Sequence, residues 1–86
     1  MKYRSRTEIV SNILEAANGG ATKTKIMYKG FLSYAQLKEY LAILVHNGLL
    51  EYHEGEAKFN TTSKGLKFLS IYTQLDLLAP TASMGK

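Results

Sequence analysis

Few side chains in this sequence have the chemistry of an active site. The 86 residues include two histidines, His46 and His53, and no cysteine. No pair of acidic residues flanks either histidine at the spacing of metal ligands, so ordinary surface histidines are the favoured interpretation. The serines lack the setting of a nucleophile elbow, and the dispersed glycines form no phosphate loop. We therefore predict no catalytic residues, no metal and no cofactor, and hence no enzyme.

Basic residues are concentrated in the first third of the chain. The net charge is +4 and the isoelectric point is about 9.4. Residues 1–32 contain six lysines and arginines against two glutamates, whereas the middle of the chain is mildly acidic. A localised excess of this kind suits a polyanionic partner. The alternative is a basic surface that is merely solvated.

The composition is that of one small globular domain. Hydrophobic residues make up 45% of the chain and charged residues 21%, a balance typical of globular proteins. We expect a single domain over residues 1–80 and a mobile polar tail over 81–86. The absence of cysteine excludes disulfides. No apolar run approaches the roughly 18 residues of a membrane span, and the N-terminus does not resemble a signal peptide. We therefore expect a cytoplasmic protein.

Apolar residues at helical spacing predict three helices in the first half of the chain. Their ranges are 7–18, 22–28 and 33–47. Ser5 and Ser33 are the expected N-caps, each followed three residues later by a Glu or Gln that completes a capping box. Glycines at 19–20 and 48 are expected to end the first and third helices in the left-handed conformation. The second helix is expected to end before a turn at Lys29-Gly30.

Alternating residues predict a β-hairpin in the second half. The predicted strands are 49–53 and 57–61, joined by a turn at 54–56, and a last helix follows over 62–78 before Pro80. The order is three helices, two strands and a helix. This is the order of a winged helix-turn-helix domain, an α+β fold that is mostly α, with a two-stranded wing and a C-terminal dimerisation helix.

The last helix is apolar on more than one face, which predicts a homodimer. One line of side chains consists of Leu66, Leu69 and Thr73. The other line consists of Phe68, Ile71, Tyr72, Leu75 and Leu78. A small domain cannot cover both lines with its own core, so we predict that the second line pairs with a second copy of the helix. The alternative is that the first helix covers both.

The third helix is predicted to enter the major groove of double-stranded DNA. Tyr34, Gln36 and Lys38 would supply readout, with Ser33 near a phosphate and Gln36 suited to adenine. Tyr34 alternatively packs across the turn. The predicted contacts to the DNA phosphates come from basic residues of the second helix and the N-terminal arm, namely Lys23, Lys25, Lys29, Arg4 and Arg6.

Several short motifs resemble one archaeal group of proteins. They are KTKIMY at 23–28, LSY at 32–34, YL at 40–41, NGLL at 47–50 and TSKG at 62–65. Together they resemble the small archaeal winged-helix DNA-binding proteins, which include the ten-kilodalton chromatin-type proteins of the Sulfolobales and related transcriptional regulators. The resemblance covers roughly residues 5–72. It implies a nucleoid-associated dimer, often joined by an extended C-terminal helix that pairs as an antiparallel coiled coil.

Two features depart from that group. The last helix has about half the length that a long coiled coil would need. The wing tip carries Glu54 and Glu56 with only Lys58 beside them, and carboxylates repel phosphates, so we expect the wing to contribute little. Chromatin-type and regulatory roles both stay open, and no small-molecule effector is evident. The alternative function is a protein-docking module of a transcription complex that uses the same fold without contacting DNA.

Overall fold

Four helices and one hairpin make up the fold. The computed structural model describes residues 4–78, with side chains up to residue 75. The elements are α1 (Arg6–Ala17), α2 (Lys23–Gly30), α3 (Tyr34–His46), β1 (Leu50–His53), β2 (Lys58–Thr61) and α4 (Ser63–Leu78). Their order is the predicted one. Pro80 and the predicted tail, 81–86, lie outside the described residues, as does the side chain of Leu78.

α1 begins at a serine cap and supplies the centre of the core. The Ser5 hydroxyl oxygen accepts a hydrogen bond from the backbone N–H of Glu8 at 3.0 Å, so the predicted N-cap is confirmed. Ile13, Leu14 and Ala17 follow at helical spacing and are completely buried. Asn18, which was predicted to be the last helical residue, instead has an extended backbone with ψ of 121°. The helix therefore ends one residue earlier.

Three of the other elements pack on α1, and α3 and β1 join the core through them. α1 contacts α2, β2 and α4. The Thr61 hydroxyl of β2 donates a buried hydrogen bond of 2.7 Å to the Leu14 carbonyl, which fastens the hairpin to α1. The largest completely buried side chains outside α1 are those of Ile26, Leu37, Leu44 and Leu50. They come from α2, α3 and β1, so one core joins these elements to α1.

The hairpin is shorter than predicted and gains a third backbone partner. β1 and β2 pair antiparallel, with Tyr52 opposite Phe59 and their ring centroids 4.7 Å apart. Ala57 was predicted to begin the second strand, but its φ of +53° is incompatible with a strand, so β2 begins at Lys58. Ala21 exchanges two backbone hydrogen bonds with Phe59, at 2.9 and 2.8 Å. This bridge, which the sequence analysis missed, ties the α1–α2 connection to the hairpin.

The second helix extends through the glycine that was expected to end it. α2 continues to Gly30, and the left-handed residue is Phe31, with φ of 52° and ψ of 50°. Gly30 is buried, and a Cβ added there would lie 3.2 Å from the Leu32 side chain. The prediction of a turn at Lys29-Gly30 was therefore wrong, because this glycine allows close packing and does not form the turn.

The start of α4 rests directly on the backbone before β1. The Thr62 hydroxyl oxygen accepts from the Gly65 N–H at 3.1 Å, and its proton is donated to the Gly48 carbonyl at 2.6 Å. A Cβ added to Gly65 would overlap the Leu49 carbonyl oxygen and lie 2.6 Å from Thr61 Cγ2. The close approach of helix and loop therefore depends on the missing side chain.

We expect Gly65→Ala to destabilise the protein although it lies in a helix. Alanine favours a helix by about 1 kcal/mol over glycine, but overpacking against rigid backbone costs roughly 1–3 kcal/mol or more. The net effect should be a lower urea midpoint at constant protein concentration. Gly55→Ala is the matched control, because a Cβ at Gly55 meets nothing within 4 Å. An unchanged midpoint for Gly65→Ala would contradict the close packing.

Candidate nucleic-acid interface

Local side-chain caps hold the segment from α2 through α3. The Thr22 hydroxyl oxygen accepts from the Lys25 N–H at 3.2 Å at the start of α2. At the start of α3, the Ser33 hydroxyl oxygen accepts from the Gln36 N–H at 3.1 Å, and Gln36 Oε1 accepts from the Ser33 N–H at 3.1 Å. The predicted capping box is confirmed. It fixes both the turn and the first residue of α3, Tyr34.

The capping box limits what Gln36 can read. A bidentate pair with adenine needs both the oxygen and the nitrogen of the side-chain amide. In this structure the oxygen is already bonded to the Ser33 N–H, and only Nε2 is left to donate. Ser33 keeps its hydroxyl proton as a donor, because its oxygen is the acceptor in the box. The two residues therefore offer donors, which suit phosphate oxygens as well as base edges.

The face of α3 opposite its buried leucines is open to solvent. Leu37, Leu41 and Leu44 are buried. With buried Tyr40 included, and at about 100° per residue, the opposite face is centred near Ala35, Glu39 and His46, and Gln36 is turned from its centre by roughly 90°. The exposed residues of this outward face are Ala35, Lys38, Glu39, Ala42, Ile43 and His46.

The sequence analysis found only Lys38 of this outward face as a site residue. Tyr34 and Gln36 lie at its two edges by the same geometry. The sequence pattern could have identified Ala35 and Ala42. The positions of the buried leucines define one face of α3 and therefore also the face opposite to it. Small side chains there allow the helix backbone to approach a surface closely.

The predicted lysines fall into two groups. Lys25 and Lys29, four residues apart on α2, line a polar hollow of about 370 Å³ between α1 and α2. The other residues that line it are Asn12, Glu15, Ala16 and Asn18. Lys38 lies on α3, with its Nζ 5.6 Å from the centroid of the Tyr34 ring. Lys23 is exposed in the first turn of α2. The basic surface therefore extends from α3 across α2 to the side of α1.

None of these lysines is neutralised by an ion pair. Among the side chains of residues 4–75, the one ion pair within 4 Å joins His53 Nε2 and Glu51, at 3.7 Å. In the sequence, no Asp or Glu occurs between Glu15 and Glu39. The positive charge of the four lysines is therefore available to an anionic partner.

The two arginines of the N-terminal arm have different environments. The Arg4 guanidinium donates to the carbonyls of Gly30 and Phe31, at 2.6 and 2.9 Å. The Arg4 N–H groups therefore cap the C-terminal end of α2, where helix carbonyls without a partner in the helix favour a cation. Arg6 is exposed in the first turn of α1. Of the two predicted phosphate ligands in the arm, only Arg6 is exposed in this way.

The hairpin carries the opposite charge. Glu51, Glu54 and Glu56 are exposed on it, with Lys58 as its one basic residue.

Within the described part of the chain, no group of three or more acidic or histidine side chains could hold a metal ion. No helix of that part is long and apolar enough to cross a membrane.

Comparison with known proteins identifies the family. A family model described as winged helix-turn-helix matches residues 3–79. The crystal structure of Sso10a-2, a DNA-binding protein from Sulfolobus solfataricus, superposes with a TM-score of 0.74 at 21% identity, over 95% of this chain and 94% of that one. No curated protein matches the chain. The structural match agrees with the predicted resemblance to small archaeal winged-helix proteins, and the family match over residues 3–79 shows that the chain belongs to the winged helix-turn-helix family.

Proposed function

We propose that this protein binds double-stranded DNA, with α3 in the major groove and the lysines of α2 and α3 on the phosphates. The observation that carries the proposal is the set of four exposed, unneutralised lysines on a helix-turn-helix. A protein of the same fold, Sso10a-2, is described as DNA-binding, which supports the same chemistry here.

The outward face of α3 suits insertion into a groove. The major groove is about 12 Å wide and admits one helix. Ala35 and Ala42 have small side chains, so the helix can approach the bases closely, and both residues can contact thymine methyl groups. Lys38 and Glu39 are its polar members near the helix N-terminus, which is the end that recognition helices commonly direct at bases.

The lysine positions indicate the path of the duplex. Lys38 and Lys23 belong to the helix-turn-helix itself, whereas Lys25 and Lys29 face the hollow beside α1. A duplex that contacted only α3 would not reach that hollow. We therefore propose that the phosphate backbone continues past α2 towards α1, where Arg6 is also exposed. The acidic hairpin would then lie at the margin of the interface, since its carboxylates repel phosphates.

Neutralising the lysines in pairs should separate the phosphate contacts near the start of α2 and α3 from those beside α1. The variants are Lys23→Gln with Lys38→Gln, and Lys25→Gln with Lys29→Gln. Each lost phosphate contact should lower the slope of log affinity against log salt by about 0.9. If both pairs contact DNA, the salt slope of each double variant should therefore be about 1.8 smaller in magnitude than that of the wild type. The measurement is fluorescence anisotropy with a labelled duplex at several salt concentrations.

Lys67→Gln is the matched control for charge, because Lys67 is exposed on α4 outside the proposed interface. Its salt slope should equal that of the wild type. A Lys25, Lys29 variant that behaves like Lys67→Gln would restrict the duplex to α3 and the start of α2. If neither double variant differed from the control, the proposed docking mode would be wrong.

We further propose that binding is tolerant of sequence, as in a chromatin-type protein. The outward face of α3 offers two alanines, one isoleucine, one lysine, one glutamate and one histidine, and the Gln36 amide oxygen is held by the capping box. Few side chains are therefore free for bidentate contacts with base edges, which are the contacts that discriminate between bases.

A selection from a random pool of duplexes should consequently enrich sequences only weakly. Sequence-specific proteins typically prefer their site by a factor of roughly 10³ or more. We expect the best selected sequence to bind with less than this advantage over unselected DNA in a competition assay. A preference well above that factor would favour a gene-specific regulator.

We propose dimerisation through α4. Ile71 and Leu75 are 51% and 60% exposed, and they lie on one side of the helix. Phe68 and Tyr72 flank them and are only partly exposed, because Phe68 also packs on the core of its own chain. A second copy of the same helix, related by a twofold axis, would cover this stripe. Leu78 is expected to extend it.

Removing the apolar stripe should yield a monomer. We expect Ile71→Gln with Leu75→Gln to sediment as a monomer where the wild type sediments as a dimer, since glutamine keeps the helix propensity but not the apolar surface. Leu66→Gln is the matched control, because Leu66 is exposed on the other flank of α4. A wild type that is monomeric at all concentrations, or a control that dissociates equally, would contradict the proposed dimer face.

A protein-docking role is the second candidate function. A shallow apolar groove of about 490 Å³ lies between α3 and the hairpin, beside the acidic turn. It is lined by Leu41, Ala42, Val45, His46, Tyr52 and Phe59. This groove, combined with acidic charge, would suit a protein surface better than a nucleic acid. Absence of duplex binding in a gel-shift titration at low salt would favour this second function.

A further inference from the structure

Phe31, the left-handed residue that caps the end of α2, has a residue type and an exposure that the fold does not explain. Its φ of 52° and ψ of 50° are left-handed, a region where glycine is the usual residue at a helix end. Its side chain is 83% exposed, so no packing compensates for the backbone strain or for the apolar surface. A large apolar side chain that neither suits the left-handed cap nor packs on the core is a candidate for a function outside the fold.

The backbone beneath Phe31 is held firmly. The Phe31 N–H donates to the Tyr28 carbonyl at 3.2 Å, and the Leu32 N–H donates to the Met27 carbonyl at 3.1 Å. The Arg4 guanidinium bonds both the Gly30 and the Phe31 carbonyls. These bonds come from the last turn of α2 and from the N-terminal arm. The phenyl ring is therefore presented from a fixed position, which lowers the entropy lost when it binds a partner.

Two further aromatic rings flank Phe31. Tyr28 is 73% exposed and Tyr34 is 58% exposed. Each is three residues from Phe31, so its Cα lies within about 11 Å. Among the described side chains, the one aromatic pair in contact is Tyr52 with Phe59, so the three rings do not stack on one another. We call Tyr28, Phe31 and Tyr34 the aromatic turn.

The charge around the aromatic turn is complementary to a phosphate backbone. Lys29 lies within it, and Lys38 reaches over the Tyr34 ring. Residues 16–38 contain four lysines and no acidic residue. Exposed rings beside lysines form the combination by which proteins bind single strands, where bases stack on aromatic side chains and cations follow the phosphates.

We propose that the aromatic turn is a stacking surface for unpaired bases, so that the protein binds single-stranded or locally melted nucleic acid in addition to a duplex. In a paired duplex the base faces are covered by neighbouring pairs, and only the edges face the grooves. Phe31 has no donor or acceptor with which to read an edge. Its ring can stack only where a base face is free. This inference goes beyond duplex binding and does not require it.

Two substitutions of Phe31 test the proposal. Phe31→Gly removes the ring and suits the left-handed backbone, so it should not lower the urea midpoint. Labelled twenty-residue strands of oligo-dT and oligo-rU, and a mixed duplex, serve as probes in fluorescence anisotropy. We expect the variant to bind at least one single strand roughly 5- to 150-fold more weakly than the wild type. Its duplex affinity should be nearly unchanged.

The chain contains no tryptophan, so Phe31→Trp introduces a single tryptophan, whose emission can be followed by itself, at the apex of the aromatic turn. Its emission should be quenched by the single strand through stacking and not by the duplex. Leu66→Trp on α4 is the matched control and should not be quenched. The strand that quenches more strongly, oligo-dT or oligo-rU, identifies whether DNA or RNA is preferred, since only the latter carries the 2′-hydroxyl.

Several outcomes would overturn the proposal. They are wild-type affinity of Phe31→Gly for both single strands, an equal loss of duplex affinity, or equal quenching at positions 31 and 66. An equal loss of duplex affinity would assign the ring to the paired groove. A protein that fails to bind duplex but shows ring-dependent binding of single strands would retain this inference and lose the proposed duplex function, so the two are separable.

Discussion

The packing of one side of α1 is the constraint on which the rest of the structure depends. Ile13, Leu14 and Ala17 form the only surface of α1 that is completely buried together, and α2, β2 and α4 all pack on α1. An 86-residue chain has apolar area for one core and no more. α3 and β1 join the same core through α2 and β2. The buried hydrogen bond from Thr61 to the Leu14 carbonyl is the polar part of the same junction.

Close packing assigns several polar side chains to structural roles. Arg4 bonds the carbonyls at the end of α2, Gln36 closes the capping box of α3, and Lys64 donates to the Asn47 carbonyl at 2.9 Å after α3. Each of these residues would pass for a nucleic-acid ligand by type alone. The lysines of α2 and the start of α3 make no such bonds. Their charge is not needed by the fold, which is a reason to assign it to a partner.

The surface is divided by charge and polarity into three regions. The helix-turn-helix side is basic and carries three exposed aromatic rings, the hairpin is acidic, and α4 carries exposed apolar side chains such as Leu75. A dimer through α4 would present two basic surfaces, and linked sites bind a continuous polymer more tightly than either does alone.

The sequence by itself determined the order of elements, the caps and most of the core, because these depend on periodicity and on neighbours within four residues. Ser5 and Ser33 were predicted as N-caps from such local patterns and confirmed. The tertiary structure decided what depends on distant contacts. Gly30 ends no helix because Leu32 and Ile13 pack beside it. Arg4 is a cap because the chain returns to it 26 residues later. The exposure of Phe31 likewise became visible only when no other element was found to cover it.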